Sequence, residues 1–524
     1  MTRPDHAPKS LSPERAVLLP IGFALGLGAF VFLPRIGVDP GLVRTFLLAS
    51  ACLVGWTLAL YLRKKRAGAK LSLEVAIRKH HWVQMCAQLV IYFWWGRYVS
   101  AVYDFAPLIV AQIVFAYGFD CLLSWSRREK YFLGFGPVPI ILSINLFIWF
   151  KQDWFIFQFV VIAVGYLGKE LIRWTKDGRS AHIFNPSSFP LALASLLLIL
   201  TGTTDITWGL EIAQTIFNPP HIFTVVFLAA IPGMLLFGVT TMTMSAVVTA
   251  CLFSFLYNGI TGTYYFYDAY IPIAVFLGMH LLFTDPSTSP RSPSGRVIFG
   301  VFYGLGTIAL VALLEGTGAP TFYDKLLPVP ILNLTVRALD RWGPALASKL
   351  PDMSPLVASL SVAGRRYATV GLWVVVFLAI SGAGGVGDDH PGQYLPFWEE
   401  TCRAGSDRAC QHVEDIESTY CERGSGWACN ELGIRLATRD PDPNAARAAM
   451  DRGCELGFDL ACANRSRAGG GGPFETTFPP TDELPIVIRG SKGPVLERDP
   501  AALFDLACDR GWRLFCGRSG RGAQ

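Results

Sequence analysis

The sequence predicts an all-α protein: a polytopic bundle of about 12 to 13 membrane-spanning helices, followed by a small disulfide-stapled α/α repeat domain. Three observations lead there. Over 524 residues the chain is 52% hydrophobic and only 16% charged, with its apolar residues in long blocks instead of an amphipathic rhythm. Its basic residues gather in alternate loops between those blocks. After residue 400 the composition turns polar, and Cys-x2-Gly-x4-Cys recurs four times.

A helix needs about 20 apolar residues to cross roughly 30 Å of hydrocarbon at about 1.5 Å per residue. Such stretches lie near 16–34, 42–62, 82–103, 107–125, 135–150, 153–168, 187–202, 221–238, 243–257, 269–283, 297–314 and 367–384. Arg3, Lys9 and Arg15 precede the first, as in a signal peptide, but no small-residue cleavage site closes it, and an uncleaved anchor is expected.

Orientation follows from the loops. The most basic stretch is Arg63-Lys64-Lys65-Arg66 with Lys70, Arg78 and Lys79, which places it and the N-terminus in the cytoplasm. Counting spans onward, Arg127, Arg128 and Lys130, then Lys169, Arg173, Lys176 and Arg179, then Arg291 and Arg296 fall on the same side. Twelve spans would return the cysteine-rich tail to the reducing cytoplasm. An extra crossing over Thr321 to Leu339, against the alternative of an amphipathic surface helix, puts the basic stretch Arg337 to Arg366 inside and the tail outside. The expected location is a bacterial inner membrane, with the tail extracytoplasmic.

The expected divisions are N-terminal transmembrane helices over 1–160, a transmembrane core over 161–345, a basic segment with the last span and a Gly-rich linker over 346–395, and the repeat domain over 396–524. In that domain the motif pairs Cys402 with Cys410, Cys421 with Cys429, Cys454 with Cys462, and Cys508 with Cys516. In a helical hairpin the first cysteine sits in the last turn of one helix. The glycine takes the left-handed conformation that ends it, and the second cysteine opens the next helix. Zinc is the competing reading, but its sites usually use tighter pairs and no histidine accompanies these, so no metal is expected. The segment Ala445-Ala-Arg-Ala-Ala-Met-Asp-Arg-Gly-Cys-Glu-Leu-Gly-Phe-Asp-Leu-Ala-Cys resembles the cysteine-rich bacterial form of Sel1-like, tetratricopeptide-related repeats. The resemblance covers about 401–465 and 500–518 and implies an α/α solenoid that binds a protein or peptide. Repeat starts 19, 33 and 54 residues apart make the array short and irregular.

In the membrane core, Asn185-Pro186 is a helix-start signature, an N-cap followed by proline at the first helical position. Asn218-Pro219 repeats it 33 residues later, on the opposite face by the loop count. Paired starts of this kind fit an inverted repeat with discontinuous helices, whose N-termini would face an anion, phosphate or cofactor; two ordinary helix starts are the alternative. A second element, Phe283-Thr284-Asp285-Pro286 through Gly295-Arg296, stops one span and restarts the next. His182, His221 and His280 are isolated and are expected to make interfacial hydrogen bonds. Trp94-Trp95-Gly96-Arg97-Tyr98 reads as an interface belt, with quinone or lipid contact as the alternative.

Together these elements resemble the B subunit of the sodium-pumping NADH:quinone oxidoreductase and the D subunit of the Rnf complex (the NqrB/RnfD family), over roughly 165–315. The resemblance implies an inverted-repeat bundle carrying flavin, in an electron-transport complex coupled to ion movement. It singles out Asn185, Pro186, Asn218, Pro219, Thr284, Asp285, Gly295 and Arg296 as ligand-site residues. The family attaches FMN to the last threonine of a Ser/Thr-Gly-Ala-Thr motif after the first Asn-Pro helix. Here that loop reads Gly202-Thr-Thr-Asp-Ile-Thr-Trp-Gly-Leu-Glu-Ile-Ala-Gln-Thr, so covalent FMN is not expected, and the alternatives are a cofactor lost, replaced, or bound non-covalently as a flavin or quinone.

No Walker loop, Rossmann fingerprint, catalytic triad or nucleic-acid footprint stands out, which argues against an autonomous dehydrogenase or ATPase. Three readings stand: a non-autonomous electron-transport subunit acting with partner subunits in the lipid bilayer; a redox-inert transporter or channel-like scaffold; and a membrane anchor displaying a protein-binding domain.

Overall fold

The computed structural model describes residues 9–176, 178–347, 361–387, 390–439, 442–470, 472–487 and 500–517; part of the basic stretch expected between Arg337 and Arg366 lies outside them. The chain divides into two compact units, Met1–Leu252 with Ile271–Ala383, and Phe253–Tyr270 with Gly384–Gln524.

In chain order the elements up to the second unit's tail are β1 (Lys9–Leu11), α1 (Pro13–Phe32), α2 (Pro40–Arg66), β2 (Leu71–Val75), α3 (Lys79–Tyr98), α4 (Ala101–Arg128), β3 (Lys130–Leu133), α5 (Pro137–Asn145) and α6 (Ile156–Leu171). The hairpin β4 (Arg173–Lys176) and β5 (Arg179–His182) follows, then α7 (Ser188–Thr201), α8 (Gly209–Thr215), α9 (Ile222–Phe237) and α10 (Thr240–Thr261). The series ends with α11 (Ile273–Leu282), α12 (Pro293–Gly316), α13 (Pro328–Ala347) and α14 (Val362–Gly382).

A helix lies at every position where a span is expected, but only six described helices are long and apolar enough to cross a membrane: α1, α2, α4, α10, α12 and α14. Their outward side chains, among them Leu62, Val110, Leu252, Leu313 and Val375, are large, apolar and exposed, as a surface facing lipid requires. Three more, α7, α9 and α11, are apolar but shorter. The apolar run near 135–150 shows why a hydropathy count exceeds the number of full-length helices. Its helix α5 has nine residues, about 14 Å of rise, after which the chain leaves the helix and Phe150 forms a β-bridge with Thr207. Two small sheets also depart from an all-α reading. Strand β2 pairs antiparallel with β1 and parallel with β3, and β4 pairs with β5.

Contacts within the first unit sort its loops into two sets. Lys64 pairs with Glu129 at 2.7 Å, Arg128 with Glu170 at 2.5 Å, and His182 approaches Asp285 at 3.6 Å. Asp340 accepts the Arg291 and Ser292 N–H groups at 2.7 and 2.9 Å. These are the basic loops that the charge pattern groups together. The intervening loops meet one another instead. Lys151 N–H donates to Ile206 at 3.0 Å, Trp94 Nε1 to the Pro220 carbonyl at 2.9 Å, and Gly209 lies against the Phe322 ring. Helix α13 follows the turn Thr321–Lys325, where Phe322 meets the second set, and carries Asp340, which meets the first.

The second unit stacks α15 (Leu395–Arg403), α16 (Asp407–Glu422), α17 (Gly426–Thr438), α18 (Pro443–Glu455) and α19 (Asp459–Gly470) as successive hairpins, followed by α20 (Pro500–Asp509). The cysteine pairs sit at disulfide distance across the four turns, with Cα–Cα separations of 4.6, 4.6, 4.7 and 4.9 Å. Gly405, Gly424, Gly457 and Gly511 all have positive φ, between 82° and 101°, the left-handed helix stop. Ser406 and Ser425 then cap the following helices through the N–H groups of Ala409 and Ala428.

This unit's core joins Trp398, Val413, Ile416 and Trp427 to Tyr264, which belongs to the segment between α10 and α11. Arg408 secures that segment. Its guanidinium donates to the Tyr264 and Tyr265 carbonyls at 3.1 and 2.6 Å, and it lies over the rings of Tyr257, Tyr265 and Tyr267.

Candidate functional site

The Asn-Pro and Thr-Asp-Pro elements, about 100 residues apart in sequence, meet in the first unit. Asn185 Oδ1 accepts from Ser187 N–H at 2.9 Å, Ser188 N–H at 3.1 Å and the Ser187 hydroxyl at 2.8 Å, capping α7. Its Nδ2 donates to the Leu282 carbonyl, the last residue of α11, at 2.9 Å. Its own N–H donates to Asn333 Oδ1 on α13 at 3.1 Å, and Asn333 Nδ2 donates to the Thr288 carbonyl at 3.1 Å. The start of α7 and the end of α11 are therefore held together by buried amides. The first N–H groups of α7 are occupied by Asn185 itself, which corrects the expectation that this start presents them to an anion. Pro186 lies in the turn and its carbonyl faces Gly165 of α6, where a Cβ would clash with it.

Asn218 and Pro219 differ. They lie in a turn before α9, the helix begins at Ile222, and its N-cap position is His221 at φ 56° with no side-chain cap. No N-cap by Asn218 forms here, so the second signature is a loop motif and not a mirror of the first.

Asp285 organises the next turn. It accepts the Ser287 N–H at 2.9 Å and hydroxyl at 2.6 Å, and the Ser289 hydroxyl donates to its carbonyl at 2.5 Å. Burial works against its carboxylate, but the adjoining His182 and the Ser287 donors outweigh it and hold the group at about 2. Thr284 Oγ1 donates back to the His280 carbonyl at 2.9 Å. Gly295 is required by close approach, since a Cβ there would meet the Ser292 hydroxyl and the Leu339 carbonyl at 3.1 Å or less. Arg296 donates to the Pro290 carbonyl at 2.9 Å and to the Gly238 carbonyl, while Arg366 donates to Leu235 and Leu236 at 3.2 and 3.1 Å. The two arginines thus cap the C-terminus of α9, where the helix dipole favours positive charge.

Beside this seam lies a narrow cleft, part of it open to solvent. Apolar side chains of α3, α9 and α11 form most of it, and Gln84, His280, Thr284 and Asp285 are its polar members. Helix α11 is wound as a π-helix over Gly278–Leu282, so His280 stands in the widened turn. His280 is 2% exposed. It is buried within the protein and bonds to the Phe276 carbonyl.

Asn333, Asp340 and Arg366 are the partners that sequence reasoning missed. The one signal for the first two was polar residues seven apart on one face of an amphipathic helix. Thr201 at the end of α7 and Thr207 and Thr215 in the segment after it donate their hydroxyls to carbonyls within their own turns. Among the described residues, no three His, Cys, Asp or Glu side chains gather to hold a metal ion. Neither a family model, nor a curated protein, nor a solved structure matches this chain.

Proposed function

We propose that the protein is an integral membrane subunit of an ion-coupled electron-transport complex, similar to the B and D subunits named above, working with partner subunits and using a flavin or quinone bound without a covalent link. In this reading the N-terminus and basic loops are cytoplasmic, α13 supplies the extra crossing, and the stapled domain stands outside to bind a protein or peptide. The supporting observation is the meeting of two short helices, α7 and α11, end to start at Asn185, beside a cleft that contains a buried histidine. Interrupted helices at a polar seam are how membrane bundles build ligand and ion sites.

A redox-inert transporter or scaffold is the second reading. It is favoured by the occupied N–H groups at Ser187 and Ser188, which leave that helix start without anion-binding donors. The test is an absorption and mass spectrum of the detergent-purified protein, native and denatured, followed by quinone reduction with partner proteins. Flavin or quinone released on denaturation is expected. A colourless protein of plain mass that passes no electrons would overturn the first reading and leave the second, which solute flux into vesicles would then test. If neither flux nor colour is found, but a partner is lost on removing the tail, the protein is an anchor for the repeat domain.

A further inference from the structure

His280 Nδ1 lies 2.7 Å from the Phe276 carbonyl. A carbonyl only accepts, so Nδ1 carries the hydrogen and Nε2 of the neutral ring is left with a lone pair. That atom is buried and has no hydrogen-bond partner. An unmatched buried acceptor is costly unless something meets it. The ring faces are covered by Phe276 at 4.1 Å and Trp373 at 5.9 Å, with Phe227 edge-on at 6.4 Å. His280 lines the cleft, and Nε2, the ring nitrogen not tethered to Phe276, is sealed from it in this conformation, so water meets it only when the cleft opens slightly.

The cleft has room for roughly one or two water-sized molecules at a time. Of its other polar members, Thr284 and Asp285 belong to the turn where His182 stands 3.6 Å from Asp285. His80 packs on Phe237 of the cleft wall, and His80 and His81 both feel the Asp285 charge. The cations on that side are Arg78 and Lys169, with Arg296 and Arg366 engaged on α9. Asp285 is the one charged side chain in the lining.

We propose that His280 is a buried proton-binding site, reached from the Asp285 turn by water in this cleft. Water donates a hydrogen bond to Nε2. On protonation, a hydronium ion in the cleft gives its proton to Nε2 and becomes water, and Nδ1–H stays on Phe276. The neutral residue becomes an imidazolium, with no change in oxidation state. The inference uses only the geometry of the cleft and does not rest on the electron-transport reading.

Exchange of the imidazole Cε1 hydrogen for deuterium, followed by mass spectrometry on the full-length protein in detergent across a pH series, reads both water access and protonation. His280 is expected to exchange measurably, more slowly than His80 and His182, along a titration curve. Gly233 lines the cleft, and a Cβ there meets only the Phe237 ring at 3.6 Å, so Gly233→Leu should fill the cleft without moving backbone. It is expected to slow His280 about tenfold or more and leave His182 unchanged. No exchange at His280 in the unaltered protein, with His80 and His182 exchanging normally, would mean a dry, sealed ring and overturn the proposal. So would exchange at His280 that a folded Gly233→Leu protein leaves untouched.

Discussion

Asn185 joins three elements through one side chain and one N–H group, and none of its partners outside its own turn is near it in sequence. Asn185→Ala would uncap α7 and leave the Leu282 carbonyl unmet in the interior. A loss of about 2–4 kcal/mol is expected, read as a lower unfolding midpoint in detergent. Asn185→Ser keeps an acceptor for the cap and should lose about half as much. A second prediction concerns three carboxylates of the stapled domain. Glu417, 1% exposed at its side chain, is clamped by Arg435 at 2.6 and 2.9 Å, and Glu399 and Glu431 adjoin it. Burial and then the Glu417 charge push Glu399 up to about 7 and Glu431 up to about 8, against pulls from Arg435 on both, Arg403 on Glu399 and Asn430 on Glu431. Both groups hold protons more tightly folded than unfolded, so their contribution is full below about 4.5 and is lost as pH rises through 7 to 8. Proteolysis of the domain in the intact protein should therefore be faster at pH 8 than at pH 5.5, and the double substitution Glu399→Gln, Glu431→Gln should remove most of that difference.

The stapled hairpins were legible in the sequence because everything that makes each one lies within nine residues: a cysteine, a glycine that alone adopts the required φ without strain, and a second cysteine. The contact of Tyr264 with Trp398 was not legible, because it joins residues more than 130 positions apart and no local pattern announces it. The same reason hid Asn333 and Asp340. Asn-Pro read correctly at 185 and misread at 218, because a cap forms only where the following N–H groups turn into a helix, and after Pro220 His221 takes a left-handed conformation first. Each staple closes a loop of eight residues, for which chain entropy gives about 2.5 kcal/mol. Replacing Cys421 and Cys429 together by Ala should lower the domain's stability by about that much, followed through the fluorescence of the buried Trp427. Gly424→Ala, which forces a side chain into φ 97°, should cost about 1–2 kcal/mol with the disulfide intact.

At the scale of the whole molecule the decisive element is α13. The turn before it and its own middle meet different sets of loops in the first unit: Phe322 lies against Gly209, and Asp340 accepts from Arg291 and Ser292. An amphipathic helix lying on one surface would keep both ends in one set. A crossing here would make the count odd between the basic N-terminal loops and the cysteine-rich tail, which is what an oxidised tail needs. Reporter fusions in the intact gene test this directly. Green fluorescent protein inserted after Gly68 or after Ala347 should fluoresce, because it folds in the cytoplasm, and alkaline phosphatase inserted after Ala319 or at the C-terminus should be active, because it needs an oxidising compartment. The Ala319 and Ala347 reporters carry the argument, since they flank α13 alone. Opposite readings establish the crossing. The same reading at both would make α13 a surface helix, bring the tail to the side of Arg63–Arg66, and place four disulfides where thiols are kept reduced, so the orientation and the staples stand or fall together.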